Sequence, residues 1–320
     1  MEQPADTTNT TNTTNTTDTA STDSAGLLRQ LSNQMADAVE RISASLVLVN
    51  GRERQPASGV AYAPDLVLTA AHVIERSEGI TIYTSDQRTL PAQLVGRDPN
   101  SDLAVLRVTD AGLTPATPSP EAARVGQMVL ATGFTNEEGL MASSGVVSAL
   151  GGPLRTRGGL LIERYIRTDA IPYPGFSGGA LIDTRGSLLG LLTTGLIQSI
   201  ALAIPTDIAK GIADTLTTQG HIKRGFLGIS SQLVQVPAAQ RTNSTQEYGL
   251  LIVKVDDDSP AQKGGILLGD ILVTLDGRAI KDSEDLQLLL TGERVGKAVP
   301  VEVIRGSALK TLSITIGERR

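Results

Sequence analysis

The strongest constraint on the fold is a long series of short apolar runs, each bounded by Gly, Pro, Asn or Asp. Many short strands separated by turn residues are typical of a closed all-β structure. Aromatic residues make up 2% of the chain and Trp is absent, so small and β-branched side chains have to fill the core. The predicted strands of this region are 45–49, 59–63, 66–69, 80–84, 103–108, 128–133, 145–150, 166–169, 180–183 and 187–193.

The chain divides into three parts by composition and by the period of its apolar residues. Residues 1–25 are rich in Thr and poor in apolar side chains, so they are predicted to be a disordered leader. Residues 26–220 begin with a helical period, continue with the strands and end with a short helix over 205–216. A basic stretch bounded by glycines then predicts a boundary, and 221–320 are predicted to form a small α+β domain. Its predicted strands are 226–230, 250–255, 271–275, 299–304 and 310–316, and its predicted helices are 260–264 and 283–290.

Charge and composition argue against several classes of site. The net charge is −6 and no run of Lys or Arg exists, which argues against nucleic-acid binding. The absence of Cys excludes a disulfide framework, a thiolate metal site and a cysteine nucleophile. The two histidines are His72 and His221, so a multi-histidine zinc site is not expected. We interpret His221 as a linker residue and expect neither a metal nor a cofactor.

The sequence also bears on localisation. It shows no export signal and no apolar stretch of the roughly 20 residues that span a bilayer. The chain as it stands is therefore expected to be cytoplasmic. The leader resembles polar linkers that follow membrane anchors, so an anchor upstream would instead place the protein in the cell envelope or periplasm.

Three short segments carry side chains that together suit one kind of chemistry. His72 follows the strand 66–69, Asp102 precedes the strand 103–108, and Ser177 lies in a Gly-Phe-Ser-Gly-Gly turn. Each of them alone has an ordinary structural explanation, as a strand end or a turn. Together they suit acyl transfer by serine, which needs a histidine to take the hydroxyl proton and a buried carboxylate to orient that histidine.

The chain order of these residues strengthens that hypothesis. His72, Asp102 and Ser177 follow one another as in the chymotrypsin-like template, and not as in subtilisin or the α/β-hydrolases. Glycines on both sides of Ser177 allow a tight turn that aims the backbone N–H groups of Gly175 and Ser177 at one point. The sequence therefore predicts catalytic His72, Asp102 and Ser177, with an oxyanion hole formed by the backbone of Gly175 and Ser177.

From about residue 28 to its end, the sequence resembles the HtrA (Deg-type) serine proteases. The resemblance implies a mainly β fold, a chymotrypsin-like double β-barrel followed by a small α+β PDZ domain. It also implies an endopeptidase that cleaves unfolded or misfolded chains, without a cofactor, and a PDZ domain that recognises hydrophobic C-termini. The motifs that carry it are 38–42, the segments around His72, Asp102 and Ser177, and 144–150, 168–170, 203–205 and 224–229.

Four departures from the family pattern leave alternatives open. Phe176 stands where the family usually has Asn, in a segment before the nucleophile that prolines at 172 and 174 stiffen. The loop over 194–203 is short. A catalytically weak, protease-like scaffold that binds peptides, or a chaperone, is therefore the alternative function. The N-terminal segment also lacks the aromatics through which many family members form trimers, so a homo-oligomer stays open. Finally, the family is mostly extracytoplasmic, whereas this sequence shows no export signal.

The resemblance also implies two binding sites. The residue six before the nucleophile in the chymotrypsin-like fold is at the floor of the primary specificity pocket, and here it is Ile171, which predicts cleavage after small aliphatic residues. In the second domain, a peptide carboxylate is expected on the backbone of the loop that precedes the first strand. Arg224, beside this loop, is expected to be exposed. The predicted carboxylate-binding residues are Phe226, Leu227, Gly228 and Ile229.

Overall fold

The structure is a computed structural model that describes residues 18–318, apart from 54, 153, 156–160, 163, 197–201, 239–240, 242–245 and 291–293. The first part of the chain consists of α1 (Asp18–Ser43), β1 (Leu46–Asn50), β2 (Ala57–Ala63), β3 (Leu66–Ala70), a 3₁₀ turn (Ala71–Val73), β4 (Ile80–Thr84), β5 (Thr89–Asp98), β6 (Leu103–Arg107), β7 (Met128–Thr135), β8 (Gly139–Gly151), β9 (Leu154–Arg155), β10 (Leu161–Ile162), β11 (Tyr165–Thr168), β12 (Ala180–Ile182), β13 (Leu188–Thr193), β14 (Leu202–Pro205) and α2 (Thr206–Gln219).

These strands form two closed antiparallel barrels. The first has the strand order β1-β2-β3-β6-β5-β4, and the second has the order β11-β14-β13-β12-β7-β8. Apolar side chains of small and medium size fill the interior of each barrel, including Val67 and Leu106 in the first and Leu181 and Leu192 in the second. The predicted double β-barrel is confirmed. The strands β5 and β14 were not predicted, because β5 mixes polar and apolar residues and β14 is short.

The helix α1 precedes the first barrel and corrects one prediction. It begins at Asp18, so residues 18–25, which were predicted to be disordered, are helical. Residues 1–17 of the predicted leader lie outside the described residues. Ala38 and Ile42 in the last turns are buried, whereas Leu28 is 70% exposed. Since each residue added to an existing helix gains a hydrogen bond, the helix extends well beyond the part that packs.

The helix α2 follows the second barrel in sequence but packs across the first one. Its Ala213 and Leu216 are buried in the core shared by the barrels and the helices. Tyr62 on β2 and Thr217 share a hydrogen bond of 2.9 Å between their hydroxyl groups. The helix ends at Gly220 in the left-handed conformation (φ 74°), a conformation that glycine adopts without strain.

The remaining elements form a small α+β domain. Its elements are β15 (Gly225–Phe226), β16 (Ile229–Gln235), β17 (Tyr248–Val255), α3 (Pro260–Lys263), β18 (Ile271–Leu275), β19 (Arg278–Ala279), α4 (Ser283–Leu289), β20 (Ala298–Arg305), β21 (Ala308–Thr315) and β22 (Gly317–Glu318). The main sheet has the order β16-β17-β18-β20-β21, and β15 pairs with β22. One apolar core lies beneath the sheet, where Leu286 and Leu289 of α4 pack with Leu250 and Val301. The predicted small α+β second domain is confirmed.

An ion pair joins the linker between the domains to the first barrel. The Nη2 atom of Arg224 lies 2.7 Å and 2.8 Å from the two carboxylate oxygens of Asp98 at the end of β5. Asp98 is 4% exposed and the side chain of Arg224 is 20% exposed. The expectation that Arg224 is exposed beside the peptide loop is therefore wrong, since a buried carboxylate 126 positions earlier in the chain binds it.

Candidate active site

His72 and Asp102 are held together by three contacts at one end of the first barrel. His72 lies in the 3₁₀ turn that follows β3, and Asp102 ends the turn between β5 and β6. The Nδ1 atom of His72 is 2.8 Å and 3.0 Å from the two carboxylate oxygens of Asp102. The backbone N–H of His72 also donates to Asp102 Oδ1 at 2.9 Å, and the N–H of Ala71 donates to the Asp102 carbonyl at 3.0 Å. The imidazole is therefore oriented by a carboxylate that is 3% exposed.

The end of β13 supports the same carboxylate from the second barrel. The Thr193 hydroxyl donates a hydrogen bond to Asp102 Oδ2 and accepts one from the Gly195 N–H at 3.0 Å. A Cβ added to Gly195 would lie 2.6 Å from His72 Nδ1, so only glycine fits beside the histidine–aspartate pair. Thr193 and Gly195 were not predicted as site residues, because nothing in their local sequence indicates a contact with Asp102.

Ser177 lies in a strongly bent turn that precedes β12 of the second barrel. Gly178 has φ +85°, and a Cβ on it would collide with the Ser58 carbonyl on β2. Phe176 is fully buried in the second barrel, where its ring meets that of Tyr173 edge-on at 5.5 Å between centroids. Phe176, which departs from the family pattern, therefore fixes the turn to the core of the second barrel.

The Ser177 hydroxyl is not hydrogen-bonded to His72 in this structure. Among the described residues, its hydrogen-bond partner is the Thr194 hydroxyl, with 3.0 Å between the two oxygens. Thr194 follows Thr193, so adjacent residues at the end of β13 contact Ser177 and Asp102. The three predicted catalytic residues converge on one site, with the serine turned towards Thr194.

The two predicted oxyanion donors are free. In the described part of the chain, neither the Gly175 N–H nor the Ser177 N–H has a hydrogen-bond acceptor. Gly175 has φ +95°, which side-chain-bearing residues rarely adopt. The intervening Phe176 N–H donates to the Tyr173 carbonyl at 3.0 Å, and so is directed into the turn. Both predicted donors therefore lack an acceptor in the described residues, while the N–H between them is bonded within the turn.

Ile171 does not lie where its prediction placed it. Its side chain is 55% exposed, whereas a residue at the closed floor of a pocket would be buried. Its carbonyl accepts a hydrogen bond of 2.7 Å from Ser143 on β8, which leaves the side chain at the surface of the approach loop. Ile171 is therefore a residue of the loop surface, and the expected preference for small aliphatic residues, which was argued from Ile171 at the pocket floor, loses this support.

The predicted carboxylate loop precedes the edge strand of the second sheet. The carbonyl groups of Leu227 and Gly228 accept hydrogen bonds from Ala261 and Asp256 at 2.8 Å and 2.9 Å. Within the described residues, no acceptor binds the N–H of Leu227 or of Gly228. Gly228 has φ +75°, and β16, which starts at Ile229, pairs with β17 on one side only. Free donors therefore lie beside a free strand edge.

Two further features of the described residues bear on ligand binding. His221 Nε2 lies 2.9 Å from Glu318 Oε1, so this histidine connects the linker to β22. No group of three or more His, Cys, Asp or Glu residues that could hold a metal ion occurs within the described ranges.

The comparisons with known proteins agree on two domains. The family model of the trypsin-like peptidase domain matches residues 57–191, and that of the PDZ domain matches residues 225–316. A probable periplasmic serine endoprotease DegP-like of Ectopseudomonas mendocina is 33% identical over 277 residues, which cover 83% of this chain and 58% of that protein. The chain therefore spans less than two thirds of the length of this curated relative.

Solved structures show the same likeness over nearly their whole length. The crystal structure of the serine endoprotease from Yersinia pestis is 30% identical, with a TM-score of 0.74 and coverage of 90% of this chain and 98% of that one. The HtrA-type protease AlgW with a tripeptide is 31% identical, with a TM-score of 0.74 and coverage of 89% and 97%.

Proposed function

Because this chain belongs to the HtrA (Deg-type) family of trypsin-like serine proteases with a PDZ domain, we propose that it is a serine endopeptidase acting on unfolded or misfolded polypeptides. The observation that carries the proposal is the His72–Asp102 pair, which faces the turn of Ser177 with two free backbone donors. Acyl transfer needs all three of these parts, and a scaffold that only binds peptides needs none of them.

In the proposed mechanism, Ser177 Oγ attacks the substrate carbonyl and its proton passes to His72 Nε2. Asp102 accepts the Nδ1–H hydrogen bond, which fixes the histidine tautomer and stabilises the charged ring that forms. The N–H groups of Gly175 and Ser177 donate to the oxyanion, and His72 then protonates the leaving amine. A water molecule then attacks the acyl group while His72 takes its proton. His72 returns this proton to Ser177 Oγ as the acid product leaves.

The first step requires a rotation of the Ser177 side chain. Its hydroxyl contacts Thr194 at 3.0 Å, so the serine has to leave Thr194 before its proton can reach His72. A neutral hydrogen bond contributes about 0.5–1.5 kcal/mol, so this rotation costs little compared with the barrier of peptide hydrolysis. The conformation in this structure is therefore compatible with catalysis.

Labelling with an alkyl fluorophosphonate tests the assignment. The intact chain is expected to be labelled on Ser177, and Ser177→Ala is expected to abolish both labelling and casein hydrolysis. Asp102→Asn is expected to reduce hydrolysis by about 10⁴-fold, since it favours the wrong histidine tautomer. The exposed serine of β21 gives a matched control, Ser313→Ala, which keeps full activity. Casein hydrolysis by Ser177→Ala at the wild-type rate would overturn the proposal.

The proposed role of the second domain is to bind a hydrophobic C-terminus. A carboxylate would accept hydrogen bonds from the N–H groups of Leu227 and Gly228, and the ligand backbone would pair with the free edge of β16. Phe226 and Ile229 flank these donors, and Leu286 lines the core behind them. A peptide ending in Val is expected to bind the whole chain carrying Ser177→Ala more tightly than its C-terminal amide does. Equal affinities, measured by titration calorimetry, would contradict this role.

We propose residues 26–220 as the protease domain and 221–320 as the PDZ domain, which the ranges of the two family matches support. We also propose the cell envelope as the site of action, because curated relatives are named periplasmic, and those names give the cytoplasmic expectation no support. None of the helices in the described part of the chain is both long and apolar enough to cross a membrane. Fractionation of cells producing the protein tests the localisation.

A further inference from the structure

Ser58 on β2 connects the first barrel to the turn of Ser177. It is fully buried, and its hydroxyl donates to the Gly175 carbonyl at 2.7 Å and accepts from the Phe134 N–H at 2.8 Å. Its backbone N–H donates to the Ser177 carbonyl at 3.1 Å, and its carbonyl accepts from the Thr69 hydroxyl at 2.7 Å. Ser58 therefore bridges the two barrels, through its hydroxyl to Gly175 and Phe134 and through its backbone N–H to Ser177.

These contacts restrict the orientation of the turn. A peptide group is planar, so binding the carbonyls of Gly175 and Ser177 fixes the peptide planes that follow these two residues. The plane that carries the Ser177 N–H lies between these two fixed planes, and the plane that carries the Gly175 N–H adjoins the first of them at the Gly175 Cα. The Ser58 hydroxyl also accepts from the Phe134 N–H on β7, and this bond holds the hydroxyl in place. There is no spare room, since a Cβ on Gly133 would lie 2.8 Å from Ser58 Oγ. The turn is thus supported from the first barrel through the carbonyl groups of Gly175 and Ser177.

We propose that Ser58 is a positioning residue that holds the N–H groups of Gly175 and Ser177 in their donor orientation, and thereby makes oxyanion stabilisation depend on the docking of the two barrels. This inference rests on the proposed serine endopeptidase function. Ser58 acts through the backbone of the turn and does not touch the reacting atoms. Its removal is therefore expected to slow bond formation without changing how substrate binds.

Saturation kinetics with an alkyl fluorophosphonate separate these two effects. In the reaction the Ser177 Oγ–P bond forms, fluoride leaves and the hydroxyl proton passes to His72, while the phosphoryl oxygen occupies the oxyanion site. Removing one oxyanion donor costs about 10²–10³-fold in rate, and misaligning donors costs less. Ser58→Ala is expected to lower kinact by about 10–100-fold and to leave KI unchanged.

A matched variant controls for the loss of a buried hydroxyl. Thr132 is also fully buried, and its hydroxyl donates to the Ala180 carbonyl at 3.0 Å within the second barrel. Thr132→Val is expected to lower the free energy of unfolding, as Ser58→Ala does, and to keep kinact. Urea unfolding followed by circular dichroism gives the folded fraction for each variant. Should Ser58→Ala not fold, Ser58→Cys, which retains a weak donor, takes its place with the same expectation of a lower kinact.

The outcomes distinguish the inference from the function beneath it. Wild-type labelling together with an unchanged kinact in folded Ser58→Ala would overturn the positioning role alone. A kinact that falls equally in Ser58→Ala and Thr132→Val would also overturn it, because the effect would then be general. Absence of labelling in the wild-type chain would overturn the proposed function and, with it, this inference.

Discussion

Replacing Arg224 by Met is expected to destabilise the protease domain, because it removes the cationic partner of Asp98. Both carboxylate oxygens of Asp98 contact Arg224 Nη2, at 2.7 Å and 2.8 Å, and the carboxylate is 4% exposed. Met keeps the length and much of the volume of the side chain and removes only the charge and the donors.

The size of the effect follows from what Asp98 keeps. Removing one partner of a fully buried ion pair costs about 3–5 kcal/mol. Arg224 is partly exposed, and Asp98 still accepts hydrogen bonds from the Ser101 N–H and hydroxyl at 3.1 Å and 2.7 Å. We therefore expect Arg224→Met to cost about 2–3 kcal/mol, below the fully buried range. Adding Asp98→Asn, which removes the unpaired charge, is expected to recover about 1 kcal/mol of this loss.

Urea unfolding monitored by circular dichroism measures these free energies for the two single variants and the double variant. The ion pair between Lys210 and Asp214 provides the control, because both side chains are more than half exposed. Lys210→Met is expected to leave the free energy of unfolding nearly unchanged, because an exposed ion pair contributes little. The reasoning about the buried charge is refuted if Arg224→Met costs no more than Lys210→Met. It is also refuted if the double variant is less stable than Arg224→Met.

Three further predictions concern single side chains. Thr194→Val, which removes the partner of the Ser177 hydroxyl, is expected to raise the fluorophosphonate labelling rate several-fold while Thr194→Ser keeps the wild-type rate, and a slower Thr194→Val would show that the contact assists the serine. Phe176→Ala, at a fully buried position, is expected to lower the free energy of unfolding by about 3–5 kcal/mol in urea titrations, whereas a loss below about 1 kcal/mol would contradict its role as an anchor. Burial raises the pKa of Tyr62 above its ordinary value of 10.0, against the opposing hydrogen bond from Thr217. The folded chain thus holds this proton more tightly, so stability is lost as pH rises above about 10, and Tyr62→Phe is expected to reduce that alkaline loss in unfolding measured between about pH 9 and about pH 11.

The sequence predicted the barrels because their strands are continuous apolar runs. The segment 103–108, for example, was predicted within one residue of β6, since its side chains are buried on both faces. The strand β5 was missed, because its burial alternates irregularly around Gly96, where the register shifts. Local patterns therefore located most strands of the core, and missed β5, where the register shifts, and β14, which has four residues.

Local sequence patterns also located only part of the candidate site. The segments of His72, Asp102 and Ser177 could be found because each has a local signature and their order is informative. Thr193 contacts Asp102, and Thr194 contacts Ser177. The members of each pair are separated in sequence, and no local pattern predicts either contact. Side-chain pairs across the seam between two domains or barrels depend on the assembled fold, so a single sequence does not reveal them.

The division of the site between the barrels has a consequence for the life of the newly made chain. His72 and Asp102 are joined by hydrogen bonds within the first barrel, whereas Ser177 and both proposed oxyanion donors belong to the second. During synthesis the first barrel emerges before the residues that complete the second. Under the proposed function, the complete site requires the contact of β2 with the turn of Ser177. Under the proposed function, a nascent or partly unfolded copy therefore lacks a complete site and is not expected to cleave neighbouring chains.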